Sequence, residues 1–279
     1  MMNKIEANLK KQVVTVEAGV NSGQINTFLF KRGYFVPLGF ARLVGVSGLS
    51  MGGGAGLVTS SRGLSVDQII SLEIITADGT VIDASSKNNS DLFWALRGAG
   101  GGNFGVVTKL TLKIYKPPKC VFGVKKSYDN QFSANIFYTF QSYLTSEQED
   151  RSVFASLLIN EPMTGKTLVD FLITNDIDSE CEYSLRKLQT MFPDIAKQDV
   201  KVYDNYYDVV NEKAEETEFP PFMLPLCQLT VNFFGHKRLS YNESKRAMSL
   251  IADAGRETSM YVFGSGGKVN DILPTETAY

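Results

Sequence analysis

Apolar and polar positions alternate most strictly at Val106–Tyr115, VVTKLTLKIY, which predicts a strand with one buried face. A β-branched run at Val13–Glu17 predicts another. Between them the period changes. Ile25, Phe28 and Leu29 recur three and four apart, so Gly23–Arg32 reads as a helix, with Ser22 as its cap and Gly33 as its stop. A strand is expected at Gln68–Thr76, and Asp78-Gly79 turns it back into Thr80–Ala84. Asn88–Ser90 caps a short helix over Asp91–Leu96.

The run Lys116-Pro117-Pro118-Lys119 marks a boundary, and the pattern beyond it is different. Val121–Lys125 is extended, and Gln131–Leu144 is helical with Phe132, Ile136, Phe140 and Leu144 on one stripe. Val153–Ile159 and Thr167–Thr174 read as a hairpin around Met163–Lys166. Helices follow at Ser179–Met191 and Asp204–Thr217, then a strand at Leu226–Phe234, a helix at Tyr241–Ala254 and a strand at Met260–Phe263. The expected class is α+β, with two domains at 1–116 and 117–279, the second a largely antiparallel sheet backed by helices.

Composition changes this picture at two places. Leu43–Gly56, LVGVSGLSMGGGAG, has glycine at six of its fourteen positions, and Gly98–Gly105, GAGGGNFG, is a second such stretch. Glycine at that density suits a backbone that must approach something closely and present bare N–H groups to it. The reading is a pyrophosphate-bearing dinucleotide held by main chain. Ser47 and Ser50 are added as hydroxyl donors, and Val44, Val46, Leu49 and Met51 as apolar surface for a flat ring. Gly100–Gly105 satisfies G-x-G-x-x-G, but a helix precedes it and a strand follows, which inverts the order of a Rossmann site. Gly264–Lys268 has the wrong spacing for a P-loop.

Other chemistry is sparse. With a net charge of −2 and no basic stripe, a nucleic-acid partner is not expected. No window offers about eighteen apolar residues, so a membrane span is not expected either. Cys120, Cys181 and Cys227 are widely spaced and odd in number, and they read as free thiols rather than as a disulfide framework or a metal cluster. The single histidine, His236, reads as a loop residue at a strand end. Met1–Lys11 lacks the layout of a signal peptide, so the chain as it stands reads as cytoplasmic, with the alternative that a secretion signal lies in a missing N-terminus.

The blocks VTVEAG, VGVSGLSMGGGAGLVTSSRGLSVDQI, LEIITADGTVIDAS and DLFWALRGAGGGNFGVVTKLTLKIY resemble the FAD-linked oxidases related to berberine bridge enzyme. These have a PCMH-type FAD-binding domain of the vanillyl-alcohol-oxidase class. The resemblance covers roughly Val13–Pro118 closely. It implies FAD as cofactor, with pyrophosphate and flavin contacts on Val44, Gly45, Val46, Ser47, Gly48, Leu49, Ser50, Gly52, Gly53 and Gly54. Adenosine-side contacts would fall on Gly102, Gly105, Val106 and Val107. The implied reaction moves a hydride from an alcohol, sugar or amine-type carbon to flavin N5, with molecular oxygen as acceptor.

Departures from the family pattern sharpen these expectations. Of the family's two frequent flavin anchors, the cysteine position is Ala41 and the histidine loop would lie before Met1, and the histidine of the glycine block is Leu49, so FAD is expected to be non-covalent. The family's N-terminal loop would lie before Met1 and its C-terminal segment after Tyr279, so the chain reads as an internal piece of the family. The catalytic base is unassigned; Tyr203, Tyr206 and Tyr261 are the candidates, each with an ordinary packing role as the competing reading. The alternative function is a catalytically inactive relic or an interaction domain on the same fold.

Overall fold

The computed structural model describes residues 2–99, 101–146, 150–161, 164–217, 238–255, 258–264, 267–273 and 275–278. They divide into two compact units. The first comprises Met1–Pro118, Asn205–Glu218 and Gly267–Tyr279, and the second Lys119–Asp204 and Phe219–Gly266. The first crossing falls at the double proline. The expected block 117–279 is interrupted twice, because two of its segments belong to the first unit.

The first unit is built on a five-stranded antiparallel sheet. Its strands are β1 (Ile5–Asn8), β2 (Val13–Glu17), β3 (Ile69–Ile75), β4 (Val81–Ser85) and β5 (Val106–Lys113), in the order β1-β2-β5-β3-β4. The alternation of β5 is what places it at the centre. Leu110 lies opposite both Val16 and Leu72, and Leu112 lies opposite Val14, so one continuous face is buried. Each such side chain contributes roughly 2 kcal/mol by leaving water. The other face is polar: Thr15 and Thr111 share a hydrogen bond of 3.0 Å, and Lys109 Nζ sits 2.8 Å from Glu73 Oε2.

Four short helices complete the core. They are α1 (Ser22–Phe30), α2 (Val46–Met51), α3 (Thr59–Arg62) and α4 (Ser90–Leu96). The cap of α1 is Asn21, not Ser22. Asn21 Oδ1 accepts from the Gln24 amide, and Gln24 Oε1 accepts from the Asn21 amide, both at 2.9 Å. Ser22 is fully buried and its hydroxyl donates to the Val44 carbonyl instead. Two adjacent cap-type residues, Asn21 and Ser22, made the boundary ambiguous in the sequence.

The second unit carries β6 (Cys120–Tyr128), α5 (Ser133–Ser146), β7 (Val153–Ile159), β8 (Thr167–Asn175), α6 (Asp178–Met191) and β9 (Val200–Val202). Helix α7 (Tyr206–Thr217) then joins the first unit, where Tyr207 stacks on Phe30 with ring centroids 3.9 Å apart. Helix α8 (Tyr241–Asp253) and β10 (Met260–Gly264) return to the second. Its antiparallel sheet runs β10-β7-β8-β6-β9. Leu157, Val169, Phe171 and Ile173 face Phe140 of α5, Leu188 of α6 and Met248 of α8 across one core. The expected strand Leu226–Phe234, Cys227 and His236 lie outside the described residues.

One expectation is overturned here. Cys120 and Cys181 are not free thiols but a disulfide joining β6 to α6 across 61 residues of sequence. Both are buried, so the link clips the helix to the sheet from inside. Nothing in their spacing announced this, because only the packing of α6 brings the two together.

Candidate functional site

The first glycine stretch is not one loop. Val46–Met51 closes into helix α2, whose two faces differ completely. Val46, Ser47, Ser50 and Met51 are buried, while Gly45, Gly48 and Gly52 are exposed. The glycine positions recur at helical spacing and share one side. A Cβ placed on Gly45 or Gly48 would meet nothing within 4 Å. The first-turn amides of α2, including those of Ser47 and Gly48, have no acceptor inside the helix. A ligand can therefore lie against bare backbone here, with N–H groups available to an anion.

The remaining glycines of the stretch answer to the fold itself. A Cβ on Gly56 would sit 2.1 Å from the Leu38 carbonyl oxygen, and one on Gly54 would sit 2.7 Å from the Ser65 side chain. Gly53 and Gly54 both have positive φ, and their carbonyls accept at 2.8 Å from the amides of Val66 and Ser65. Those donors belong to a 3₁₀ turn, Ser65–Gln68, which braces the end of the stretch.

This division changes the roles expected of the side chains. Val46 and Met51 belong to the core and leave no side chain for a flat ring. Ser47 Oγ donates to the Ala18 carbonyl at 3.0 Å. Ser50 Oγ is fully buried without a partner, which puts it on the core side of α2 rather than on the glycine side. The side chains left on the open side are the exposed Val44 and the half-buried Leu49.

The second stretch repeats the division. Gly101 and Gly102 are exposed, and a Cβ on either would meet nothing within 4 Å. Gly105, at φ +145°, is pressed onto β3, where a Cβ would lie 2.3 Å from the Ile75 carbonyl oxygen. Val106 is exposed and Val107 is core, as the alternation of β5 requires. Phe104, beside them, is exposed as well.

The three candidate tyrosines do not form a cluster. Tyr206 is in the first unit, buried against Phe35 with ring centroids 4.8 Å apart. Burial pushes its phenol far above the usual range, so it stays protonated and cannot accept a proton. Tyr203 follows β9 and covers Gly123, while Tyr261 lies on β10, so they flank opposite edges of the second sheet. A cleft lined by Phe30, Phe35, Leu38, Phe40, Leu57 and Tyr206 opens in the first unit beside Gly39. A Cβ on Gly39 would touch Leu49 at 3.5 Å, which places this cleft, lined also by Asn26, next to α2. Among the described residues no group of acidic, cysteine or histidine side chains could hold a metal ion. No helix among them is long and apolar enough to cross a membrane.

Residues that pattern reading missed include Arg97 and the segment Thr275–Ala278. Trp94 Nε1 donates to the Thr275 carbonyl at 2.8 Å, and the Ala278 amide donates to the Arg97 carbonyl at 3.0 Å. The hints were the position of Arg97 directly before the second glycine stretch and the resemblance of Asp271–Tyr279 to the family's lead-in to its C-terminal segment.

The first unit thus has two glycine-lined, open backbone surfaces against which a dinucleotide could lie. Residues 1–85 match the family described as FAD binding domain. The chain is 43% identical over 116 residues to the uncharacterized FAD-linked oxidoreductase YgaK of Bacillus subtilis, covering 40% of this chain and 26% of that protein. Among solved structures it is similar to the xylooligosaccharide oxidase of Myceliophthora thermophila in complex with xylobiose. The TM-score is 0.81 at 22% identity, over 100% of this chain and 60% of that one. BBE-like 1 of Physcomitrella patens gives 0.80 at 22%, over 100% of this chain and 61% of its own. The chain therefore spans about a quarter of that curated relative and about three fifths of the solved ones.

FAD fits the residues present. The open faces of Gly45, Gly48, Gly101 and Gly102 offer backbone where a ligand needs close approach, and the core side of α2 is fully used by the fold.

Proposed function

We propose that this protein is a FAD-dependent oxidoreductase in which the first unit holds the cofactor and the second binds a small organic substrate. The observation that carries the cofactor assignment is the open glycine side of α2. Bound there, FAD supplies hydride acceptance at flavin N5 and reoxidation by molecular oxygen. The chain's own part is to seat the pyrophosphate on main-chain amides, to set Leu49 and Val44 beside the ring, and to keep Tyr206 neutral next to that site. With Ala41 in place of the family's flavin-linking cysteine, no covalent bond to FAD forms at that position.

The substrate carbon belongs to an alcohol, a sugar or an amine. Xylobiose and related small sugars come first in a test set, because the xylooligosaccharide oxidase shares the fold across this whole chain. The experiment is a visible spectrum of the purified protein after FAD addition and gel filtration. A flavin band that bleaches anaerobically with substrate and returns in air supports the proposal. A protein that stays colourless is the inactive relic, and one with a stable unbleachable band is a flavin-binding module without this activity. Acid precipitation should release all the colour into the supernatant.

The buried Cys120–Cys181 disulfide also bears on where the chain matures. We infer an oxidising compartment, in place of the cytoplasmic reading, because thiols stay reduced in the cytosol of most cells.

A further inference from the structure

The sequence holds two Asn-x-Ser triplets that the flavin reading leaves unused, Asn88-Asn89-Ser90 and Asn242-Glu243-Ser244. Such a triplet is an acceptor for N-linked glycosylation where it lies on the surface of a chain that matures in a secretory compartment. The structure separates the two.

Asn88 closes the turn that follows β4, the edge strand of the first unit's sheet. Its amide donates to the Ser85 carbonyl at 3.2 Å and its carbonyl accepts from the Ser85 amide at 2.7 Å, so main chain fixes the turn. Asn89 follows in the left-handed region at φ +49°, which asparagine tolerates, and Ser90 opens α4. Every residue from Ser86 to Asp91 is exposed. Asn88 Nδ2 donates to the Asp83 carbonyl at 2.8 Å, and so does Asn89 Nδ2. A primary amide carries two hydrogens, and the second on Asn88 has no partner among the described residues. The Ser90 hydroxyl, which the triplet must bring to the acceptor amide, makes no hydrogen bond among them either.

The second triplet is built into a helix. Asn242 is exposed on the first turn of α8, but Ser244 is fully buried and its Oγ accepts from Gln141 Nε2 at 3.2 Å. Residues two apart on a helix do not face each other, so this amide and this hydroxyl are held apart.

We propose that Asn88 is an N-glycosylation site. The proposal rests on the oxidising compartment inferred from the Cys120–Cys181 link. The co-reactant is a lipid-linked oligosaccharyl diphosphate. Asn88 Nδ2 bonds to the anomeric carbon, the bond from that carbon to the diphosphate oxygen breaks, the lipid diphosphate leaves, and Nδ2 gives up one proton. The remaining N–H keeps its bond to Asp83. A glycan here stands at the end of an open sheet edge, where its bulk opposes pairing with another chain.

The test uses the protein recovered from its own cells. Free thiols are alkylated before any reduction, and the glycan is then cut off by peptide N-glycosidase in heavy-oxygen water, which turns a glycan-bearing asparagine into an isotope-labelled aspartate. Mass spectrometry of the peptides should find the label at Asn88 and none at Asn242. Ser90→Ala, produced in the same cells, keeps Asn88 and every bond of its turn, and it should lose the label completely. An unlabelled Asn88 beside an intact Cys120–Cys181 link overturns the proposal and leaves the compartment standing. Alkylation of Cys120 and Cys181 without reduction overturns both. A label at Asn242 in place of Asn88, or one that survives at Asn88 in Ser90→Ala, also overturns the assignment.

Discussion

Gly48 and Gly56 lie eight positions apart in one glycine-rich stretch, yet they are glycine for opposite reasons. At Gly48 the space a Cβ would occupy is open; at Gly56 it is filled by the Leu38 carbonyl. The second stretch repeats the contrast, with Gly102 open and Gly105 closed onto Ile75. A glycine that the fold itself crowds is a stability requirement. A glycine that faces empty space on an ordered helix costs conformational entropy and returns nothing to the apoprotein. That second kind is the one that points to a ligand.

The largest effect should come from breaking the closed side. Gly56→Ala forces a methyl onto a backbone carbonyl, which cannot move without shifting the Pro37–Gly39 segment. Roughly 4 kcal/mol or more of stability should be lost. Thermal and urea melts of the protein without FAD read this directly. A loss under about 1 kcal/mol would mean that the closed class is misassigned.

A loss of similar size is expected in the second unit, where no glycine stretch does such work and a covalent clip stands in. The Cys120–Cys181 link closes a loop of 61 residues. In the chain-entropy picture its removal costs about 4 kcal/mol. Replacing both cysteines by alanine should lower the urea midpoint of the second unit and leave the first unit's midpoint in place. Maleimide labelling of denatured, unreduced protein should modify one cysteine of three. Labelling of all three would remove the disulfide and the compartment inferred from it.

Gly48→Ala should separate the two kinds of glycine most sharply, because its two effects have opposite signs. Alanine in a helix is better than glycine by about 0.5–1 kcal/mol, so the apoprotein should melt higher. The same methyl stands where the cofactor must approach, so FAD affinity should fall about tenfold or more. Calorimetry with and without FAD gives both numbers. If affinity is unchanged, the open side of α2 is not the cofactor surface.

How much of this was legible depends on which physical force placed each residue. The strand β5, the turn at Asp78-Gly79 and the boundary at Pro117-Pro118 were readable because local alternation and local backbone chemistry decide them. The glycine stretches were readable as a pair, and their family blocks named the cofactor. Their inner division was not readable, since whether Gly56 is crowded depends on Leu38, eighteen residues earlier, and no local pattern carries that contact. The assignment of Val46, Ser47 and Ser50 to ligand-facing side chains failed for the same reason. Composition suggested a loop, whereas a six-residue helix turned those side chains inward. The return of Tyr206–Thr217 and Gly267–Asp271 to the first unit, and the pairing of Cys120 with Cys181, are purely tertiary facts.

The smallest effect sharpens the comparison at the turn that braces the first stretch. Burial raises the Asp67 pKa from 3.8, outweighing the Leu64 amide and the positive charges of Arg97 and Lys268. A carboxylate whose folded pKa lies above its unfolded one binds more protons folded, so stability falls as pH rises through that interval. Well below 3.8 the group is protonated in both states and the penalty vanishes. Asp67→Asn removes the charge and keeps an acceptor for the Leu64 amide. The variant should therefore be more stable than wild type at neutral pH, by less than about 1 kcal/mol because the group is partly exposed. The gain should shrink to nothing as pH falls below about 4. Melts across roughly pH 3 to 7, the carboxylate range, would show it. A variant less stable than wild type at neutral pH would mean that the Asp67 charge contributes net stability through the Leu64 amide and the cations around it, and that the turn bracing the first stretch is an energetic contact as well as a positional one.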